Sequence, residues 1–123
     1  MYSALIVDDI EVIRFLVALR LKRWGFTHIF MAANGAEALE QLSIFLPDVI
    51  FTDFNMPNMD GTEFITKLRS NPMFAHVPVV LMSGYDFDED EKSAFTRYIK
   101  KPFTGADLDA VIRSLGYGLG NCH

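Results

Sequence analysis

Val49-Ile50-Phe51 is a run of three consecutive apolar residues that stops at Asp53 and leads through Phe54-Asn55-Met56-Pro57 toward a helical pattern. A strand that is apolar at successive positions is covered on both faces, as a parallel strand between two helical layers is. The arrangement recurs along the chain. Leu5-Ile6-Val7 precedes Asp8-Asp9, and Val79-Val80-Leu81-Met82 precedes Ser83. Ile29-Phe30-Met31 and the weaker Tyr98-Ile99, which runs into Lys100-Lys101-Pro102, bring the predicted strands to five.

Between these runs the apolar spacing changes to about 3.6 residues, the period of an amphipathic helix. Val12, Leu16 and Leu19 mark the first such segment; Ala38, Leu39 and Leu42 the second; Phe64, Ile65 and Leu68 the third; Leu108, Val111, Ile112 and Leu115 the last. Each is expected to turn that stripe to the sheet. Asn34, Asp60 and Thr104 each stand three residues before an acid, Glu37, Glu63 and Asp107, as N-caps do. Gly25, Pro47, Pro72 and Gly116 follow the helices as stop signals. Alternating strands and helices of this kind give an α/β fold, a doubly wound five-stranded parallel sheet flanked by helices.

Within 123 residues there is room for one such domain, and 50% hydrophobic residues exclude a disordered chain. We expect a single domain over 1–123, with a core at 3–115 and a loose tail at 116–123. The one cysteine, Cys122, allows no disulfide framework, and every apolar run is interrupted long before it could span a bilayer. A cytoplasmic setting is the expectation. The formal net charge of −5 argues against direct binding to nucleic acid or to an anionic membrane. Five acids between Asp86 and Glu91 read most simply as a solvated helix start.

In open parallel sheets the ligand site lies outside the carboxyl ends of the strands. Those ends carry Asp8 and Asp9, Asp53, Ser83, and Lys101. Taken singly, such residues commonly cap helices, form turns or face water. Brought to one rim, three carboxylates repel one another unless a cation compensates, and oxygen-only ligands suit Mg²⁺. His28, His76 and His123 are scattered away from these ends, so zinc is not expected. A lysine opposite the carboxylates can meet a phosphoryl group, and a serine hydroxyl can donate to it. Asp53, alone at its strand end, is the best candidate nucleophile, forming an acyl phosphate.

These segments, together with Asp53-Phe54-Asn55-Met56-Pro57-Asn58-Met59-Asp60-Gly61, Val80-Leu81-Met82-Ser83-Gly84 and Lys101-Pro102-Phe103, resemble the receiver domains of two-component response regulators, especially the single-domain chemotaxis type. The resemblance covers residues 3–115. It implies a flavodoxin-like strand order 2-1-3-4-5, with Asp53 as the phosphoacceptor of a phosphorelay supplied by a sensor histidine kinase, a phosphotransfer protein or a small donor. It further implies Mg²⁺ held by Asp9 and Asp53, by Asp8 through water, and by the backbone carbonyl of Asn55. Lys101 would hold phosphoryl oxygens beside a cis peptide to Pro102, Ser83 would be the switch hydroxyl, and Tyr98 the switch aromatic. Asn55 and Tyr85 would flank the phosphoryl group and tune its hydrolysis. The family's output surface is the face of the fourth helix, fifth strand and fifth helix, read by a downstream protein that the sequence does not name.

One departure stands out: only 18 positions separate Ser83 from Lys101, about a helical turn fewer than is usual in the family, so the fourth helix is expected to be short. Two other functions compete with a signalling domain that catalyses only its own phosphorylation and dephosphorylation. An Mg²⁺-dependent aspartyl-phosphate phosphatase would place a second acid where Asn55 stands and would need a cap domain. A phosphorylation-independent interaction module would have no use for the full set of polar strand ends.

Overall fold

The computed structural model describes residues 2–56 and 59–117. The elements run β1 (Tyr2–Val7), α1 (Glu11–Arg23), β2 (Phe26–Ala32), α2 (Gly35–Leu42), β3 (Val49–Asp53), α3 (Gly61–Arg69), a 3₁₀ turn (Pro72–Phe74), β4 (Val79–Ser83), α4 (Glu89–Lys92), β5 (Arg97–Lys100) and α5 (Gly105–Ser114). The five strands form one parallel sheet in the order β2-β1-β3-β4-β5. This is the architecture expected from the alternation of apolar runs and helical patterns.

β1, β3 and β4 occupy the centre, and every residue of β3 and β4 is buried. Alternate side chains serve the two faces, because successive residues of a strand point to opposite sides. Ala4, Ile6, Phe51, Val80 and Met82 pack under α1 and α5 with Leu21, Trp24 and Ile112. Leu5, Val7, Ile50 and Val79 pack under α2 and α3 with Leu42, Phe64 and Leu68. The consecutive apolar residues of β3 thus divide between two cores.

The helix starts behave as their sequences indicate. Asn34, Asp60 and Thr104 accept hydrogen bonds from the backbone N–H groups of Glu37, Glu63 and Asp107 at 2.8, 2.9 and 3.1 Å. Gly25 follows α1 at φ 93°, a left-handed conformation that closes the helix cheaply only for glycine. The acidic run does begin a helix. Asp88 caps α4 by accepting from Glu91 N–H at 2.8 Å, and Glu91 accepts in return from Asp88 N–H at 3.1 Å. As the spacing required, α4 is a single turn of four residues.

Two readings are corrected. Val12, Leu16 and Leu19 are exposed; the residues that α1 buries are Val17, Ala18 and Leu21. The helix is present, but it is apolar on both sides, so the spacing that located it selected the face opposite the sheet. Tyr117, expected in a loose tail, packs its ring 4.7 Å from Tyr2 and 5.1 Å from Phe26 (centroid to centroid) and donates to the Asp48 carbonyl at 3.2 Å. Its aromatic body covers the open end of the first core. The remaining tail, including Cys122 and His123, lies outside the described residues.

Candidate functional site

Parallel strands deliver their carboxyl ends to one edge of the sheet. Val7 pairs with Thr52 across β1 and β3, Asp53 with Met82 across β3 and β4, and Ser83 with Lys100 across β4 and β5. The register therefore sets Asp8, Asp53, Ser83 and Lys101 at one rim. Asp8, Asp53 and Ser83 are buried there, Asp9 is exposed, and Lys101 is half-buried.

Carboxylate oxygens of Asp8, Asp9 and Asp53 lie within 4.8 Å of one another. Lys101 Nζ bridges two of them, 2.8 Å from Asp8 Oδ2 and 3.2 Å from Asp53 Oδ1. Asp8 Oδ1 accepts from Ile10 N–H at 2.9 Å, so the residue closes the turn into α1 as well as facing the rim. Burial, and after it the charge of Asp8, pushes the Asp53 carboxyl above the usual carboxylate range, against the opposing pull of Lys101. For Lys101, burial works against the ammonium, but the Asp8 hydrogen bond and the two carboxylates prevail and hold it above the usual lysine range. One ammonium thus stands among three carboxylates, which leaves an excess of negative charge that a bound cation would offset. Three convergent oxygens with no nitrogen or sulfur donor among them fit a hard divalent ion such as Mg²⁺.

The loops around the rim are anchored to it. Ser83 Oγ accepts from Tyr85 N–H at 3.1 Å, and the Ser83 carbonyl accepts from Lys101 N–H at 2.8 Å. The Lys101–Pro102 peptide is cis, as expected. Tyr98 is half-buried, with its hydroxyl donating to the Tyr85 carbonyl and Lys92 Nζ 4.7 Å from its ring centroid. Asn55 is exposed two residues beyond Asp53.

Other contacts had no sequence signal. Arg14 donates to the Asp8 carbonyl at 2.6 Å, bracing the acidic turn from one turn inside α1. Phe87 meets the Phe54 ring, next to Asp53, in a tilted contact at 4.6 Å and the Tyr98 ring edge-on at 6.2 Å (centroid to centroid), forming an aromatic bridge from the rim to β5. Lys100 pairs with Asp86 at 2.6 Å along the same loop. The Arg14 contact is local, six residues from Asp8, whereas the Phe87 and Lys100 contacts join segments that only the pairing of β3, β4 and β5 makes neighbours. The sequence offers only a weak signal: Tyr98 is singled out as the switch aromatic through the resemblance, and nothing marks Phe87 as the link to Phe54.

Comparison with known proteins agrees with this geometry. The profile of the response regulator receiver domain matches residues 4–113. Response regulator Rre1 of Synechocystis is 32% identical over 117 residues, 92% of this chain and 51% of its own length, so the chain spans about half of that relative. Chemotaxis protein CheY1 of Helicobacter pylori is 32% identical over 105 residues, covering 81% of this chain and 85% of CheY1. Among solved structures, the chemotaxis response regulator CheY4 of Vibrio cholerae superposes with a TM-score of 0.84 at 29% identity, covering 94% of this chain and 98% of the other. With the sheet order, the acidic rim and these relatives in agreement, the chain belongs to the response regulator receiver domain family and shares the fold of its chemotaxis-type members.

Proposed function

We propose that residues 3–115 act as a phosphoacceptor unit in which Asp53 takes a phosphoryl group and the loops around β4 and β5 register its presence. The observation that carries this is the position of Lys101 Nζ, within hydrogen-bond reach of both Asp8 and Asp53 while a third carboxylate stands beside them. The nucleophile, its neutralising cation and an acidic pocket are already assembled around one point.

Asp53 attacks phosphorus in line with the leaving group. An Oδ–P bond forms as the donor's P–N or P–O bond breaks, and the leaving group takes the bonding electron pair. Lys101 moves from carboxylate to phosphoryl oxygens as charge shifts toward them, and Ser83 donates its hydroxyl to one of these oxygens. Asp8, Asp9, Asp53 and the Asn55 carbonyl would hold Mg²⁺, which neutralises the carboxylates and phosphoryl oxygens when bound. Asn55 and Tyr85 flank the group and govern water access to it.

When Ser83 turns to the phosphoryl group, it gives up the Tyr85 N–H that it now accepts from. The same loop carries the Tyr85 carbonyl that holds the Tyr98 hydroxyl, so freeing one end frees the other. Tyr98 is the switch aromatic on this reading, and the surface around α4, β5 and α5 changes for a downstream protein. The donor is a sensor histidine kinase or phosphotransfer protein, as for receiver domains in general. The chain catalyses only its own phosphorylation and dephosphorylation. No helix among the described residues is long and apolar enough to cross a membrane, and the acidic net charge suits a cytoplasmic protein partner better than nucleic acid or lipid.

The test is a set of amide NMR spectra with Mg²⁺, recorded with and without beryllofluoride. Shifts should spread from Asp53 through Ser83 to Tyr98 and vanish in Asp53→Ala. An unchanged spectrum would sink the phosphoacceptor reading.

A further inference from the structure

The loop that leaves β4 has little to hold it. From Gly84 to Ala94, Phe87 is the one apolar side chain that is not exposed, and the single turn of α4 buries nothing. The Lys100–Asp86 pair on the same loop is 52 and 83% exposed, where an ion pair contributes little. The Phe87 ring is therefore the loop's main anchor. Its centroid lies 4.6 Å from that of Phe54, 6.2 Å from that of Tyr98 and 6.3 Å from that of Tyr85.

Phe54 is the fixed side of this contact. It directly follows Asp53 at the end of the buried strand β3, and its carbonyl accepts from Gly61 N–H at 2.7 Å. Gly61 lies so close that a Cβ there would stand 3.0 Å from both Cα and Cδ1 of Phe54. Phe87 is on the moving side. It lies four residues beyond Ser83 and two beyond Tyr85, whose N–H and carbonyl hold Ser83 Oγ and the Tyr98 hydroxyl. When Ser83 turns away, the loop cannot shift without drawing Phe87 off Phe54, so the contact belongs to the resting arrangement alone.

We propose that Phe87 is a latch on that resting arrangement, a positioning residue whose ring, held between Phe54 and Tyr98, opposes the turning of Ser83 and Tyr98. The latch rests on Asp53 being the phosphoacceptor and adds to that reading a control on how readily the group is accepted. A ligand whose receptive state is only fractionally populated binds with its affinity reduced by that fraction. Weakening a contact made only at rest therefore tightens binding, whereas losing a residue that merely supports the site would weaken it.

Beryllofluoride titrations with Mg²⁺, followed by amide NMR, test this. Phe87→Ala should bind the mimic about threefold or more tightly than the unaltered chain, the effect of losing an aromatic pair. Phe87→Leu, which keeps an apolar side chain without the ring, should fall between. Before any mimic is added, the Tyr98 amide of Phe87→Ala should already lie part of the way toward its position in the mimic-bound chain. Phe54→Ala should tighten binding as well, and the double variant no more than Phe87→Ala alone, because both remove one contact. Unchanged β3 and β4 amides show that the fold is intact; if Phe87→Ala disturbs them, Phe87→Leu decides. Binding that is unchanged or weaker in the Phe87 variants overturns the latch and leaves the phosphoacceptor reading standing, whereas an unaltered chain that takes up no mimic overturns both.

Discussion

Asp53 is held where its charge costs stability. It is buried beside Asp8 and shares Lys101 with it, and its carboxyl is shifted upward by burial and by that neighbour. Replacing it with asparagine removes a like charge while Lys101 keeps its 2.8 Å contact with Asp8. Asp53→Asn should accordingly raise folding stability by about 1 kcal/mol, read as a higher urea midpoint, while abolishing phosphoryl uptake. Asp109 is the opposite case. Hydrogen bonds from Arg20 at 2.9 and 2.8 Å and from Trp24 Nε1 at 2.8 Å bring its carboxyl down to about 2, from a usual 3.8. A carboxyl depressed in the folded state contributes stability that is present above about pH 4 and lost as pH falls through about 2. Asp109→Asn should lower stability at neutral pH and flatten the stability profile between pH 4 and 2, measured by denaturant melts across that range.

Among the elements, α4 has the least to hold it. Its four residues bury nothing, and it stands on the Asp88–Glu91 capping box, the Lys92–Tyr98 contact and the tilted and edge-on ring contacts of Phe87. One turn has no cooperative length of its own, so its stability is set by these contacts. Asp88→Ala should cost about 1 kcal/mol locally. Tyr98→Phe should cost a similar amount by removing the hydroxyl that the Tyr85 carbonyl accepts from. Hydrogen exchange would show the effect as faster amides over residues 84–93 in either variant, with β3 and β4 protection unchanged. Protection lost across the whole sheet would mean that this segment is integral to the core rather than a separable switch. α1 differs again, since its buried face is secured in the first core while Val12, Phe15, Leu16 and Leu19 lie exposed on its outer face.

For the whole molecule, the sheet converges charges that the chain alone keeps far apart, and a bound cation feeds back on global stability. If Asp8, Asp9 and Asp53 hold Mg²⁺, saturation to 100 times the dissociation constant should stabilise the fold by about 2.7 kcal/mol through mass action. The melting temperature should rise with Mg²⁺, fall back with EDTA, and respond much less in Asp9→Ala. Asp9 is exposed, so its loss removes a ligand without opening a cavity. A full Mg²⁺ response in that variant would place the cation elsewhere.

The sequence by itself determined the fold class, the strand and helix order, the helix caps and the polar strand ends, because these rest on local period and chemistry. Val49-Ile50-Phe51 could only be covered on both faces, and Asp88 before Glu91 could cap a helix without help from distant residues. The spacing from Ser83 to Lys101 likewise limited α4 to a turn, since a chain segment has a fixed reach. What only the tertiary structure decided was which of two competent surfaces is used. Both sides of α1 are apolar, so its period could not say which meets the sheet; the packing of Val17 and Leu21 in the first core settled it and left Val12, Phe15, Leu16 and Leu19 outside. The Phe54–Phe87–Tyr98 bridge, the Arg14 brace and the docking of Tyr117 were equally beyond the sequence. Except for the Arg14 brace, which spans six residues, each joins residues whose proximity exists only once the chain has packed.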